Sequence, residues 1–218
     1  MKNITITPKK HSSTLYVVLS GISGGKDEPL TTYIADHIGK LGSVVRVQFA
    51  NDPLYHDDEL PEMEDMTFAY CFHRIDEAIH LASSDSEYTS IIFIAHSFSA
   101  VITAYYLGIH KAVGGSPHTR YALIEIDNDS SSEALKYLDS LSKESCQDKT
   151  VNPFHPEAIA YMRTYSSSDV LKSLCIGHLR IEAKDMEADH EFGDDRLKQV
   201  LVTRIQEWLL QHGLFKEV

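Results

Sequence analysis

The 218-residue sequence has few cysteines and no long apolar run. Its three cysteines are odd in number and widely spaced, which is typical of a reducing compartment and argues against a disulfide framework. No apolar run approaches the roughly 20 residues that a membrane-spanning helix needs, and the polar first residues do not resemble a secretion signal. We therefore expect a cytoplasmic protein with no membrane partner.

Positive charge is also scarce, since 20 Lys and Arg stand against 32 Asp and Glu and the formal net charge is -12. A negative field repels polyanions, so we expect no nucleic-acid partner. Internal repeats and low-complexity tracts are absent. The length suits one α/β domain with a substantial core, and we expect a single domain over residues 1–218. The sequence does not indicate an oligomeric state.

Short apolar segments alternate with helical patterns along the chain. Strands are predicted at 15–19, 44–49, 91–94 and 121–126, and the apolar runs 174–176 and 179–181 predict one long strand or two short ones. Helices are predicted at 29–41, 66–82, 132–141, 156–164 and 196–212. This alternation predicts a mainly parallel sheet with helices on both faces, whose chemistry collects at the carboxyl ends of the strands.

The segment Ile91–Ala100 is the strongest functional signal. A buried strand runs directly into a small-His-Ser-x-x-small turn, and a helical pattern follows. A serine at such a sharp strand-to-helix turn, here Ser97, holds its hydroxyl above the sheet edge as in a nucleophile elbow. The elbow glycines are replaced by Ala95 and Ser99, which are still small. The alternative interpretation is an ordinary turn in which Ser97 caps the helix.

A serine nucleophile needs a base, and His190 is the best candidate among 12 histidines. It lies in the loop before the last predicted helix. His96 directly precedes Ser97 and is expected to support the turn rather than to act as the base.

Two aspartates are candidates for the acid that would orient His190. Asp127 follows the strand after the elbow helix and would be held at the sheet edge, whereas Asp185 follows the last strand. We favour Asp127 and keep Asp185 as the alternative. Asp189 adjoins His190 and is expected to fix the loop instead.

Backbone N–H groups are expected to stabilise the oxyanion. One donor is the amide of Phe98, directly after the serine, and the second is expected from Ile22 in the glycine-rich turn after the first strand. The same turn superficially resembles a phosphate loop, but it is one residue short, and Asp27 stands where a magnesium-binding hydroxyl belongs.

Metal ligation is a further alternative. His178, Asp185, Asp189 and His190 could supply ligands, as could residues 56–59, but neither set has a recognised ligand spacing. We therefore predict no metal site and no cofactor.

These residues together resemble the α/β-hydrolase superfamily from about residue 15 to 210, and most closely small bacterial esterases of the cinnamoyl/feruloyl-esterase and monoacylglycerol-lipase kind. The segment Ser20–Pro29 is similar to that group's His-Gly-Phe-Thr-Gly-x-Lys-x-Glu oxyanion loop, with Ser20 in place of the histidine. Met66-Thr67 resembles the start of its long helix, and Ala188–Phe192 resembles its Ala-Asp-His-x-Phe segment.

The resemblance implies an α/β-hydrolase fold with a reduced lid and a shortened C-terminal sheet edge. It implies Ser97 as nucleophile, His190 as base, and Ile22 and Phe98 as oxyanion donors. The usual Gly-x-x-Asp turn has no clean equivalent, but some lipase-like members place the acid after the earlier strand, which favours Asp127.

Two functions follow. The first is a serine hydrolase, of carboxylesterase or thioesterase type, whose partner is a small soluble acyl ester or thioester. The second is a catalytically silent binding or regulatory protein with the same fold.

Overall fold

A computed structural model describes residues 3–21, 24–51, 60–62, 65–113, 118–127, 160, 162–164, 167–174 and 176–214. The predicted helix at 132–141, Ile22 and most of the acidic loop at 51–65 lie outside these residues, as does the segment in which a reduced lid is expected. Among the described residues, no helix is long and apolar enough to cross a membrane.

Six strands form one sheet in the order β1-β3-β2-β4-β5-β6. The strands are β1 (Ile4–Thr7), β2 (Thr14–Leu19), β3 (Ser43–Val47), β4 (Ser90–His96), β5 (Arg120–Ile126) and β6 (Gly177–Ile181). Among the strands of the described residues, only the edge strand β1 pairs antiparallel, and the other pairings are parallel. The central strands β2 and β4 are buried along their whole length, as expected when both faces are covered.

Helices cover both faces of this sheet. In the described part of the chain they are α1 (Pro29–Ile38), α2 (Phe68–Ala82), α3 (Phe98–Val113), α4 (Ser167–Ser173) and α5 (Asp195–Gln211). Side chains of α2, α3 and α4 pack on one face, and those of α1 and α5 pack on the other. The sheet therefore separates two apolar layers, as the alternating pattern predicted.

Residues 174–176 were expected to be extended, and this prediction was wrong for the residues described there. The amide of Leu174 donates to the carbonyl of Leu171 at 3.1 Å, so it closes the last turn of α4. Leu174 and Ile176 are apolar because they pack against the α2–α3 layer from this turn, not because they pair in the sheet. Only the second apolar run forms a strand, and residues 182–214 contain no further one.

Phe192 anchors the loop between β6 and α5 to the second apolar layer. Its side chain is fully buried in the apolar layer that α1 and α5 cover, and its backbone has a φ of 50°, which is unusual for a non-glycine residue. Burial of a large aromatic ring outweighs this local strain, because a phenylalanine side chain contributes several kcal/mol when it is fully buried. The loop that carries His190 is thereby attached to the core.

We expect Phe192→Ala to lower the free energy of unfolding by about 3–5 kcal/mol, because it leaves a cavity beneath this loop. Urea denaturation monitored by circular dichroism measures the change. Leu210→Ala on the outer face of α5, where the leucine is 48 % exposed, is the matched control and should shift stability by less than about 0.5 kcal/mol. Equal effects of the two substitutions would contradict the anchoring role.

Candidate active site

Ser97 is the single residue between the end of β4 and the start of α3. Its φ is 55°, in the left-handed region that a non-glycine residue seldom adopts. Its amide donates to the carbonyl of Ile126 at 2.8 Å, and its carbonyl accepts the amide of Ala100 at 3.0 Å. The backbone is therefore fixed on both sides in a strained conformation, as residues at functional sites often are.

The hydroxyl of Ser97 meets the ring of His190. The Nε2 atom of His190 lies 3.0 Å from the Oγ atom of Ser97, and its Nδ1 atom is hydrogen-bonded to Oδ2 of Asp127. Because a carboxylate only accepts, Nδ1 carries the proton and Nε2 is free to accept the serine proton. The three side chains form one continuous hydrogen-bonded chain from carboxylate to hydroxyl.

Asp127 is held by the sheet edge beyond β5. Its amide donates to the carbonyl of Ile181 at 2.7 Å, and its Oδ1 atom accepts the amide of Ala183 at 2.9 Å. Its φ of 43° turns the side chain out of the strand direction. One carboxylate oxygen thus fixes the acid to the turn after β6, and the other is left for His190.

The other two carboxylates lie apart from this chain. Asp185 is exposed on a short 3₁₀ helix at Ala183–Met186, and no described hydrogen bond joins its carboxylate to His190. Asp189 accepts the amide of Gly193 at 2.9 Å, so it closes the loop around His190, as the sequence indicated.

The amide of Phe98 is at the first position of α3, where the helix dipole favours a developing negative charge. Ile22, expected to supply the second donor, lies outside the described residues. The described part of its turn is joined to the elbow by the hydroxyl of Ser99, which donates to the carbonyl of Ser20. Within the turn, Ser20 Oγ donates to the carbonyl of Gly24 at 2.6 Å. Ser99 and Ser20 are both buried.

This pair of hydroxyls is not among the contacts predicted from the sequence. Their signal was present, because Ser20 and Ser99 are two of the positions at which the sequence departs from the esterase motifs. Each substitution brings a hydroxyl into a buried turn, and the two are joined through the backbone of Ser20.

His96 is buried directly beneath the nucleophile. Burial, and to a smaller extent the nearby His190, lower the pKa of His96 from 6.5 to about 4, against smaller opposing effects of its bond to His190 and of Asp127. The ring is therefore neutral at pH 7 and is a weaker base than an ordinary histidine.

Among the described residues, no group of three or more His, Cys, Asp or Glu side chains is arranged to hold an ion. Residues 56–59 lie outside the described part. Cys71 is a buried free thiol whose pKa is raised by burial, so it acts as a small core residue.

No protein-family model matches the sequence, and no curated protein matches it. Solved structures are similar over nearly the whole chain. Est1E from Butyrivibrio proteoclasticus, determined with ferulic acid bound, has a TM-score of 0.66 at 12% identity and covers 96% of this chain and 94% of its own. A structure described under the metagenome-derived lipolytic enzymes LipS and LipT has a TM-score of 0.65 at 12% identity. The match covers 97% of this chain and 98% of that one.

Mouse alpha/beta hydrolase domain-containing protein 10 is also similar, with a TM-score of 0.59 at 10% identity and coverage of 96% and 94%. At such low identity these likenesses establish the fold and leave the chemistry open. They confirm the fold class predicted from the sequence.

We expect Ser99→Ala to lower the free energy of unfolding by about 1–3 kcal/mol, because it leaves the buried carbonyl of Ser20 without its hydroxyl donor. Hydrogen exchange of the amides in the turn at 20–25 should become faster. Thr103→Val is the matched control, since this buried hydroxyl donates only to the carbonyl of Ser99 within α3 at 2.7 Å. Unchanged exchange in the turn of Ser99→Ala would contradict the link.

The low pKa of His96 makes stability depend on pH. Between about pH 6.5 and 4 the unfolded chain takes up a proton on this histidine and the folded chain does not, so stability falls as pH falls through this window. The full effect is about 3 kcal/mol. The stability difference between wild type and His96→Gln, measured by urea denaturation, should therefore shrink by that amount from pH 7 to pH 4. A pH-independent difference would contradict a neutral buried ring.

Proposed function

The chain has the α/β-hydrolase fold, and on that premise we propose that it is a serine hydrolase that cleaves a carboxylic ester or thioester. The observation that carries the proposal is the continuous hydrogen-bonded chain from Asp127 through His190 to the hydroxyl of Ser97. A serine whose proton can pass to an oriented imidazole is the feature that acyl transfer requires.

In acylation, the Oγ atom of Ser97 attacks the acyl carbon while Nε2 of His190 takes the hydroxyl proton. Asp127 accepts the Nδ1 hydrogen and stabilises the imidazolium that forms. The amide of Phe98 and, as the sequence predicts, that of Ile22 donate to the oxyanion. His190 then returns the proton to the leaving alcohol or thiol as the bond to the acyl carbon breaks.

In deacylation, a water molecule attacks the acyl group on Ser97 and passes its proton to Nε2 of His190. Collapse of the second oxyanion expels the serine, which recovers a proton from His190. The product acid leaves with one oxygen from water. No cofactor takes part in this sequence, and every proton is carried by His190.

The substrate class follows from the field of the protein and from its neighbours. The net charge of -12 disfavours polyanionic acyl carriers. Ferulic acid bound to Est1E and the lipolytic activity in the name of LipS and LipT make uncharged acyl esters the first compounds to assay. We propose a small soluble ester or thioester, hydrolysed in the cytoplasm.

Intact-mass labelling with a fluorophosphonate probe tests the proposal. Wild type should gain one adduct, and Ser97→Ala should gain none. Asp127→Asn should slow labelling by about 100-fold or more, because the amide oxygen stays with the amide of Ala183 while the NH2 group donates to Nδ1 and places the proton of His190 on Nε2. Asp185→Asn, an exposed aspartate outside the chain of hydrogen bonds, is the matched control and should label at the wild-type rate.

Absence of an adduct on folded wild type at neutral pH would overturn the hydrolase and favour the catalytically silent binding protein. Slowed labelling in Asp185→Asn alone would instead make Asp185 the acid.

A further inference from the structure

His96 occupies the last position of β4, between the sheet and the nucleophile. Its side chain is only 3 % exposed, and by strand alternation it lies on the same face as Ile92 and Ile94, in the layer covered by α1 and α5. The loop that carries His190 is anchored in this same layer through Phe192. His96 is thus a buried polar residue beneath the base.

The contact between the two histidines is made to the backbone of His190. Nε2 of His96 lies 2.9 Å from the carbonyl oxygen of His190, and the two ring centroids are 4.7 Å apart. Among the described hydrogen bonds, this is the one that fixes the backbone of His190 to another element. The side chain of His190 is 41 % exposed, so packing alone holds it weakly.

The hydrogen bond also determines which nitrogen of His96 carries the proton. A carbonyl oxygen only accepts, so Nε2 of His96 must be the donor. Nδ1 of His96 then keeps a lone pair, and this buried atom has no hydrogen-bond partner among the described residues. Nδ1 of His96 lies beside Gly21: a Cβ atom added to this glycine would be 3.4 Å from Nδ1.

A second proton on His96 would be unfavourable for two reasons. It would place a buried N–H group at Nδ1 with no acceptor, and it would place a cation against the ring that becomes an imidazolium during the reaction. The charged or titratable groups that act on His96 are His190, from the loop after β6, and Asp127, from the end of β5. The carboxylate of Asp127 is hydrogen-bonded to His190 and to Ala183.

We propose that His96 is a positioning residue whose neutral ring holds the carbonyl of His190 and thereby keeps Nε2 of His190 within reach of Ser97. The proposal rests on the proposed hydrolase function. The turn needs small residues around Ser97 but no histidine before it, and the contact with His190 accounts for the histidine at position 96. Displacement of a catalytic group by about 1 Å is enough to lower a rate by about 100-fold.

Two substitutions at this position separate the hydrogen bond from the volume of the ring. His96→Phe keeps an aromatic ring and removes the donor. His96→Gln places an amide N–H close to the position of Nε2 and should restore the bond. With p-nitrophenyl acetate as substrate, His96→Phe should lower kcat by about 10- to 100-fold with little change in KM, and His96→Gln should recover most of the loss.

His37→Phe is the matched control. This histidine lies in the last turn of α1, where Nδ1 contacts the carbonyl of Tyr33 at 2.8 Å, and it takes no part in the site. Wild-type kcat is expected for this variant. The labelling rate of Ser97 by the fluorophosphonate probe should follow the same order as kcat, because it reports activation of the serine without product release.

The outcomes distinguish the two proposals. If wild type neither hydrolyses the ester nor labels, the hydrolase proposal and with it this role of His96 are overturned. If wild type is active and folded His96→Phe retains wild-type kcat, or His96→Gln is as impaired as His96→Phe, only the role of His96 is overturned.

Nitrogen-15 NMR of the histidine rings supplies a test that does not depend on activity. We expect His96 in the Nε2–H form, with no titration between pH 5 and 8. An Nδ1–H form would overturn the assignment of its donor, and titration of His96 near pH 6.5 would overturn its neutral ring.

Discussion

The hydrogen-bond ladder of the parallel sheet continues one residue beyond the ends of β4 and β5, and the candidate site depends on this extension. The amide of Ser97 donates to β5, and the amide of Asp127 donates to β6, while both residues have a left-handed φ. The ladder fixes where each residue is, and the left-handed backbone turns its side chain out of the sheet. Nucleophile and acid are thereby held at neighbouring strand ends without a contact between their own side chains.

Much of the layer arrangement could be predicted because burial on both faces leaves a simple pattern. The strands at 15–19 and 91–94 are continuous apolar runs, and they correspond to the two central strands β2 and β4. The strand prediction at residues 174–176 was wrong because a short apolar run has the same sequence pattern in a strand as in a turn that packs on the core. Strand β1, with only Ile4 well buried, carried too little periodicity to be predicted. A single domain over 1–218 stays a prediction.

In the candidate site, too, some residues could be named from local sequence and others depend on the tertiary structure. Ser97 and His190 could be named as candidates because each lies in a recognisable local context, a strand-turn-helix and a motif-like loop, and their roles stay predictions. The choice between Asp127 and Asp185 depends on which strand edge faces the histidine, and that is a property of sheet order rather than of local sequence. Contacts such as Ser99 to Ser20 and His96 to His190 join segments 79 and 94 residues apart, so no local pattern could reveal them.

Strand β6 lies at one edge of the described sheet, and we therefore expect it to open before the central strands do. The acceptor of the Asp127 amide, the donor to the Asp127 carboxylate and the loop that carries His190 all lie on β6 or directly after it. Edge strands open at lower free energy than central ones, which here are buried on both faces. Fraying of β6 alone would therefore remove both backbone contacts of Asp127 and release the loop of His190, while β2, β3, β4 and β5 remain paired. Gentle heating would then disrupt the candidate site in a molecule whose remaining sheet is still folded.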